Sequence, residues 1–197
     1  MKRIASLLLF SLVAFCAGCA TLQVSTDVSA GRQALFAGNY PAALGYFQTA
    51  VETNPNYIYG TELREGVYSY LGRAQYLTGR LQQAHQSLDE ALSRHHGDFV
   101  AQLYLGLTLA RLGDRQAGLK DIENGMKAIY NFLNYLEQTF SYSFGQYWDP
   151  GGQIRASIKG YLSIISSGNI DWPQLIADGE SLGIRIEEEE DKARMQQ

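Results

Sequence analysis

Cysteine is nearly absent. The 197-residue chain has two, Cys16 and Cys19, both inside the stretch FCAGCATLQ. A pair this close excludes a disulfide framework as the source of stability. A zinc site would need two more thiols or imidazoles at ligand spacing, and no other cysteine exists to supply them. A redox Cys-x-x-Cys motif belongs ahead of a βαβ pattern, and the chain shows none. Histidine is equally scarce: His85 stands alone and His95-His96 sit together where a loop is expected, so no metal set is predicted. Nucleophile elbow, phosphate loop and dinucleotide fingerprint are all missing, and Asp149-Pro150-Gly151-Gly152 has no Lys-Ser or Lys-Thr behind it. The expectation is a protein that is not an enzyme and carries no cofactor. Basic residues are short as well, 16 Lys and Arg against 20 Asp and Glu, which argues against nucleic acid as a partner.

Long apolar runs are confined to one place. Lys2 and Arg3 give a positive start, Ile4 to Phe15 is apolar except for Ser6 and Ser11, and the small residues Ala17 and Gly18 close the run. That is the pattern of a secretory signal peptide. A membrane span would want about 20 apolar residues, but polar character is back by Gln23. Ala17-Gly18-Cys19 resembles the lipobox of bacterial lipoproteins, with Cys16 where that family usually has Leu. The resemblance implies cleavage after residue 18, diacylglyceryl on Cys19 and a new N-terminus there. Ala20 rather than Asp behind the cysteine resembles an outer-membrane address, so the expected location is the periplasmic face of the outer membrane, lipid-anchored. Several acyl chains make a lasting anchor where a single one is marginal. Residues 19–29, rich in small and polar side chains, are expected to be a lipidated tether.

Internal periodicity organises the central part of the chain. YSYLGRAQYLTGRLQQAHQSLDEAL (Tyr68 to Leu92) aligns with QLYLGLTLARLGDRQAGLKDIENGM (Gln102 to Met126): Leu71-Gly72 falls on Leu105-Gly106, Gly79 on Gly113 and Leu88 on Ile122, an offset of 34 residues. Another copy, GRQALFAGNYPAALGYFQTAVETNP, lies nearer the N-terminus and carries Gly31, Gly38, Tyr40, Ala43, Phe47, Ala50 and Pro55 at matching places. The period and these positions resemble the tetratricopeptide repeat (TPR), a pair of antiparallel helices. The resemblance implies an all-α, TPR-type helical-hairpin solenoid of about three repeats over residues 30–128. Glycine at 38, 79 and 113 suits a chain that must turn at positive φ. Gly31 to Gly72 is 41 residues, seven more than the period, with the excess near NPNYIYGTELREG, so either a helix is longer there or the loop bulges from one face. Gly118 and Gly125 replace alanines in the third unit at about 1 kcal/mol each in helix propensity, which predicts close packing or strain.

Beyond the repeats, Ile122, Met126, Ile129, Leu133 and Leu136 form an amphipathic stripe that extends the third unit. SYSFGQYWDPGG breaks it, and Asp149-Pro150 reads as a helix cap with proline in the first turn. Ile154, Ile158, Tyr161, Leu162 and Ile165 predict one more helix, and DWPQLIADGESLGIRI opens another. Residues 129–186 thus read as an aromatic segment with capping helices that cover the open end of the solenoid. Residues 187–197, EEEEDKARMQQ, read as an acidic tail, a solvated helix end or disordered.

Two surfaces are candidates for function. The TPR resemblance places Arg32, Leu35 and Phe36, then Arg73, Tyr76 and Leu77, then Leu103, Leu107 and Arg111 along the groove. Cationic and aromatic groups together suit a peptide with carboxylates and apolar anchors, although the arginines could instead pair with neighbouring glutamates. The second surface is aromatic: eight of the 23 aromatic residues fall between Tyr130 and Trp148, and Tyr142 and Trp148 sit in its non-helical part, where exposure is expected. The resemblance to bacterial TPR lipoproteins implies an envelope scaffold or adaptor that binds other envelope proteins or peptides through its groove. The alternative it implies is a ligand-handling or accessory subunit of an envelope transport system.

Overall fold

The computed structural model describes residues 21–196, so the expected signal peptide and Cys19 lie outside the described residues. The described residues are all-α apart from one small hairpin. Helix α1 covers residues 21–36 and is followed by α2 (Tyr40–Thr53), strands β1 (Ile58–Tyr59) and β2 (Glu65–Gly66), then α3 (Val67–Leu77) and α4 (Leu81–Arg94). Next come α5 (Phe99–Leu112), α6 (Arg115–Thr139), a 3-10 turn (Phe144–Tyr147), α7 (Gln153–Ser167) and α8 (Trp172–Met195). The turns between α1 and α2, α3 and α4, and α5 and α6 are a few residues long, which makes each pair an antiparallel hairpin. Each turn contains a left-handed glycine: Gly38 at φ 71°, Gly79 at φ 76° and Gly113 at φ 101°.

One contact recurs in every hairpin. A Cβ on Gly31 would lie 2.5 Å from the Phe47 ring, one on Gly72 would lie 2.6 Å from Leu88 Cγ, and one on Gly106 would collide with the backbone nitrogen of Ile122. In each case the glycine precedes its large partner by 16 residues. The helices cross where the first has no side chain and the second has a bulky one, and Phe47, Leu88 and Ile122 are all fully buried. The third hairpin is the tightest. Gly118 brings α6 against the backbone at Ala110 and Gly125 brings it against Leu103, so the two glycines in α6 permit close approach. The stripe from Ile122 to Leu136 is buried along α6.

Three expectations need correction, and one open alternative is decided. Residues 21–29 are helix rather than tether, with Val24 and Val28 fully buried against α2 and Asp27 also buried. The seven extra residues before α3 form the β1–β2 hairpin, in which Ile58 pairs with Gly66 and Tyr59 with Glu65. Asp149 does serve α7, accepting from the Ile154 and Arg155 amides, but Pro150 lies in the preceding turn and the helix begins at Gln153. The run from Glu187 is solvated on one face only: α8 continues to Met195 with Glu188, Lys192 and Arg194 exposed, but Glu187, Glu189, Glu190 and Ala193 are buried.

The recurrent crossing sets two stability predictions. Leu88→Ala is expected to cost about 2–5 kcal/mol in chemical denaturation, because it empties a fully enclosed site; a loss under about 0.5 kcal/mol is the signature of a surface residue. Gly106→Ala should cost about 1–3 kcal/mol because its methyl group meets backbone. Gly72→Ala meets the Leu88 side chain at 2.6 Å and the Leu88 backbone nitrogen only at 3.3 Å, so in a Leu88→Ala background most of its cost should be relieved.

Candidate functional site: the face covered by the C-terminal helix

The first helices of the three hairpins share a face, and α8 lies along it. Near its middle α8 meets α5: a Cβ on Gly179 would lie 2.7 Å from Leu107 Cδ2, and one on Gly183 would lie 2.5 Å from the Tyr104 ring. Two glycines one turn apart let the α8 backbone rest on large side chains of α5. Further along, α8 meets α3 and then α1 through charge. Glu180 accepts from the Tyr76 hydroxyl at 2.5 Å and lies 4.0 Å from Arg111. Glu187 accepts from Arg73, whose Nη1 also donates to Glu65 at 2.9 Å. Arg32 donates to Glu190 at 3.3 Å and to Asp191 at 3.0 Å.

The β1–β2 hairpin closes the far end. Its Tyr59 hydroxyl accepts from Arg32 at 3.0 Å and from Arg194 at 2.6 Å, and both guanidinium groups lie over the Tyr59 ring. Arg194 in turn donates to Glu190 at 2.7 Å. The same β-hairpin supplies Glu65, fully buried between Arg73 and the Tyr70 hydroxyl. The seven residues that break the 34-residue period therefore hold the end of α8.

Charge does not balance inside this layer. Two buried guanidinium groups, Arg32 and Arg73, face three buried carboxylates, Glu65, Glu187 and Glu190. Burial pushes the Glu65 carboxyl well above the usual range, Glu187 adds to the effect, and Arg73 only partly opposes it. Burial likewise pushes Glu190 up to about 7 against the pull of Arg32 and Arg194. Burial alone would favour loss of the Arg32 proton, but the surrounding acidic groups hold Arg32 above its ordinary value. Burial also raises the Tyr104 hydroxyl to about 12.

Set against the expected groove, the placements divide. Arg32, Arg73 and Arg111 do line one face, but each is engaged by a carboxylate of α8 rather than left for a partner. Tyr76 and Leu107 are buried, with Leu107 under Gly179 of α8 and Tyr76 bonded to Glu180. Leu103 packs instead against Gly125 of α6, inside its own hairpin. Leu35 is buried and Leu77 half-buried, while Phe36 keeps 40% of its surface exposed. Of the aromatic pair, Tyr142 is fully exposed, but Trp148 is buried, with its ring edge-on to Phe132 at 5.2 Å.

Sequence pattern alone does not single out Glu65, Glu180, Glu187, Glu190 or Tyr59 as members of this layer. One signal for α8 is present in GESLG, whose glycines are spaced by one helical turn and mark close approach. No helix among the described residues is long and apolar enough to cross a membrane. Searches against protein-family models and against curated proteins find no match for this chain.

Two outcomes are expected. Arg73→Glu should destabilise by about 3–5 kcal/mol, since it puts a third carboxylate between Glu65 and Glu187, whereas Arg111→Glu, on a side chain 36% exposed, should cost under about 1 kcal/mol. Within this layer the pH dependence arises from Glu65 and Glu190, whose carboxyls hold their protons more tightly folded than unfolded; outside it burial raises Asp98 and Asp121 in the same direction. The contribution of the two glutamates is complete below the unfolded value near 4.5 and, for Glu190, is lost as pH rises to about 7. The melting temperature should therefore fall between pH 5 and pH 7.5, and Glu190→Gln should flatten that slope; equal slopes for both chains would remove Glu190 as the cause.

Proposed function

We propose that the chain is a TPR-type adaptor lipoprotein, held by acyl chains on Cys19 at the periplasmic face of the outer membrane, which binds helical segments of other envelope proteins on the face formed by α1, α3 and α5. The observation that carries this reading is the way that face already holds a helix. Arg32, Arg73 and Arg111 each reach a carboxylate of α8, while Leu107 and Tyr104 take its two glycines. This is helix-in-groove recognition with charge fixing the register. The TPR assignment is supported by the glycine and large-residue crossing that recurs at a 16-residue interval in three successive hairpins.

A ligand-handling role in transport is less well supported. The cavity of about 320 Å³ between α8 and the turn at residues 149–153 is walled mainly by charged groups, Asp149, Arg185, Glu188, Glu189 and Lys192, and the more apolar one beside Leu35 and Phe36 measures about 120 Å³, well under the roughly 300 Å³ at which small-molecule sites begin.

The anchor and the face are tested separately. Cys19→Ser should move the protein from the membrane fraction to the soluble periplasmic fraction, and retention in membranes would place the anchor elsewhere. A photocrosslinker at Phe36, on the face, should capture an envelope protein that the same probe at Tyr46, exposed on α2, does not. Equal capture from both positions would remove the face as the binding surface.

A further inference from the structure

We propose that α8 is a replaceable occupant of this face, and that a partner helix with a defined acidic pattern takes its place. This deepens the adaptor reading and rests on it. The pattern is given by α8 itself. Counting Glu180 as position i, carboxylates stand at i, i+7 and i+10 (Glu180, Glu187, Glu190), and residues without side chains at i−1 and i+3 (Gly179, Gly183). These positions fall on one side of a helix because they step by close to whole turns.

Three observations separate α8 from a helix that simply completes the core. Its buried aliphatic side chains are Leu175, Leu182, Ile186 and Ala193; the remaining buried positions are two glycines and three glutamates. Buried ion pairs fix register but add little net stability over an apolar contact, because desolvation offsets the Coulomb gain. The second observation is the link to α7, residues 168–171 beginning with the left-handed Gly168 at φ 74°, a short irregular segment outside the three hairpins at which α8 can swing.

The third observation is the incomplete fit. A cavity of about 120 Å³ lies between α8 and the face, walled by Leu35, Phe36, Leu77 and Ile184, with Arg73 and Glu187 at its lining. Arg73 Nε and Glu187 Oε2 have no hydrogen-bond partner among the described residues. Ile184 is 40% exposed and Phe36 likewise, so the apolar walls are only half used. The cavity therefore states what a better occupant has: an aromatic side chain at i+4, where α8 has Ile184. A partner needs such an advantage, because α8 competes from an effective concentration in the millimolar range set by its short link.

The test uses the purified full chain and a fluorescein-labelled synthetic peptide with the sequence of residues 171–195, read by fluorescence anisotropy. Gly183→Leu in the chain, which would drive α8 against the Tyr104 ring, weakens its own α8, and this variant should bind the native peptide about 100-fold more tightly than the unaltered chain does. A peptide with Gly183→Leu, which would collide with Tyr104, should not bind. A peptide with Ile184→Phe should bind about ten-fold more tightly than the native peptide by filling the cavity. No binding of the native peptide by a variant that keeps its helical circular dichroism overturns the proposal. Should the variant fail to fold, native-state hydrogen exchange on the unaltered chain decides. Amides of α8 should exchange through an opening that leaves α5 and α6 protected, and exchange of α8 only together with α5 and α6 overturns the proposal. Peptide binding without capture from the Phe36 probe in cells would remove the adaptor reading and leave the specificity of the face standing.

Discussion

Arg73 is the interaction on which the two halves of the molecule depend. It sits on α3, in the second hairpin, and reaches Glu65 of the small β-hairpin and Glu187 of the terminal helix at once. Each of these carboxylates would be an uncompensated charge in the interior without it, and Arg73 would be one without them. The insertion before α3, the repeat and the helix that lies along it thereby meet at one side chain. Tyr70 and Tyr104 complete the enclosure, offering their rings to the guanidinium on either side at 5.5 Å and 5.0 Å.

The repeat is legible in the sequence because it is written in residue size. Gly31, Gly72 and Gly106 and their partners Phe47, Leu88 and Ile122 can be found by alignment of the chain with itself, and their physical reason is local to one hairpin. The stripe on α6 is legible in the same way. The terminal helix is not, because its buried side is only partly apolar: a search for aliphatic periodicity sees Leu175, Leu182 and Ile186 and passes over the glycines and glutamates between them. A run of four glutamates reads as solvated unless the cations that neutralise it are known. Here the two buried ones, Arg32 and Arg73, lie more than a hundred residues away on α1 and α3, and only the exposed Arg194 and Lys192 stand on α8 itself. Trp148 illustrates the reverse error. Its segment is irregular, which suggests exposure, yet the indole packs on Phe132 of α6 while Tyr142 of the same segment is fully in solvent.

The layer between α8 and the repeats also gives the molecule a polar interior where most helical arrays have an aliphatic one. Its energetic worth lies in discrimination. An apolar face accepts many amphipathic helices in several registers, whereas a carboxylate set one residue out of step leaves Arg32, Arg73 and their neighbours unpaired. Register is thus held by the penalty for error more than by the strength of the correct pairing.

Helix α1 carries a consequence for where such recognition happens. It is already formed at residue 21, with Val24 locked into the first hairpin. On the proposal that Cys19 is acylated, only two peptide steps would separate the lipid from this helix, a span of at most about 7 Å. Such a link would be a mooring rather than a leash. A domain so held would drift with the leaflet beneath it, and its encounters would be confined to a thin shell above the bilayer, which would favour partners that are themselves membrane-bound and meet it by diffusion in two dimensions.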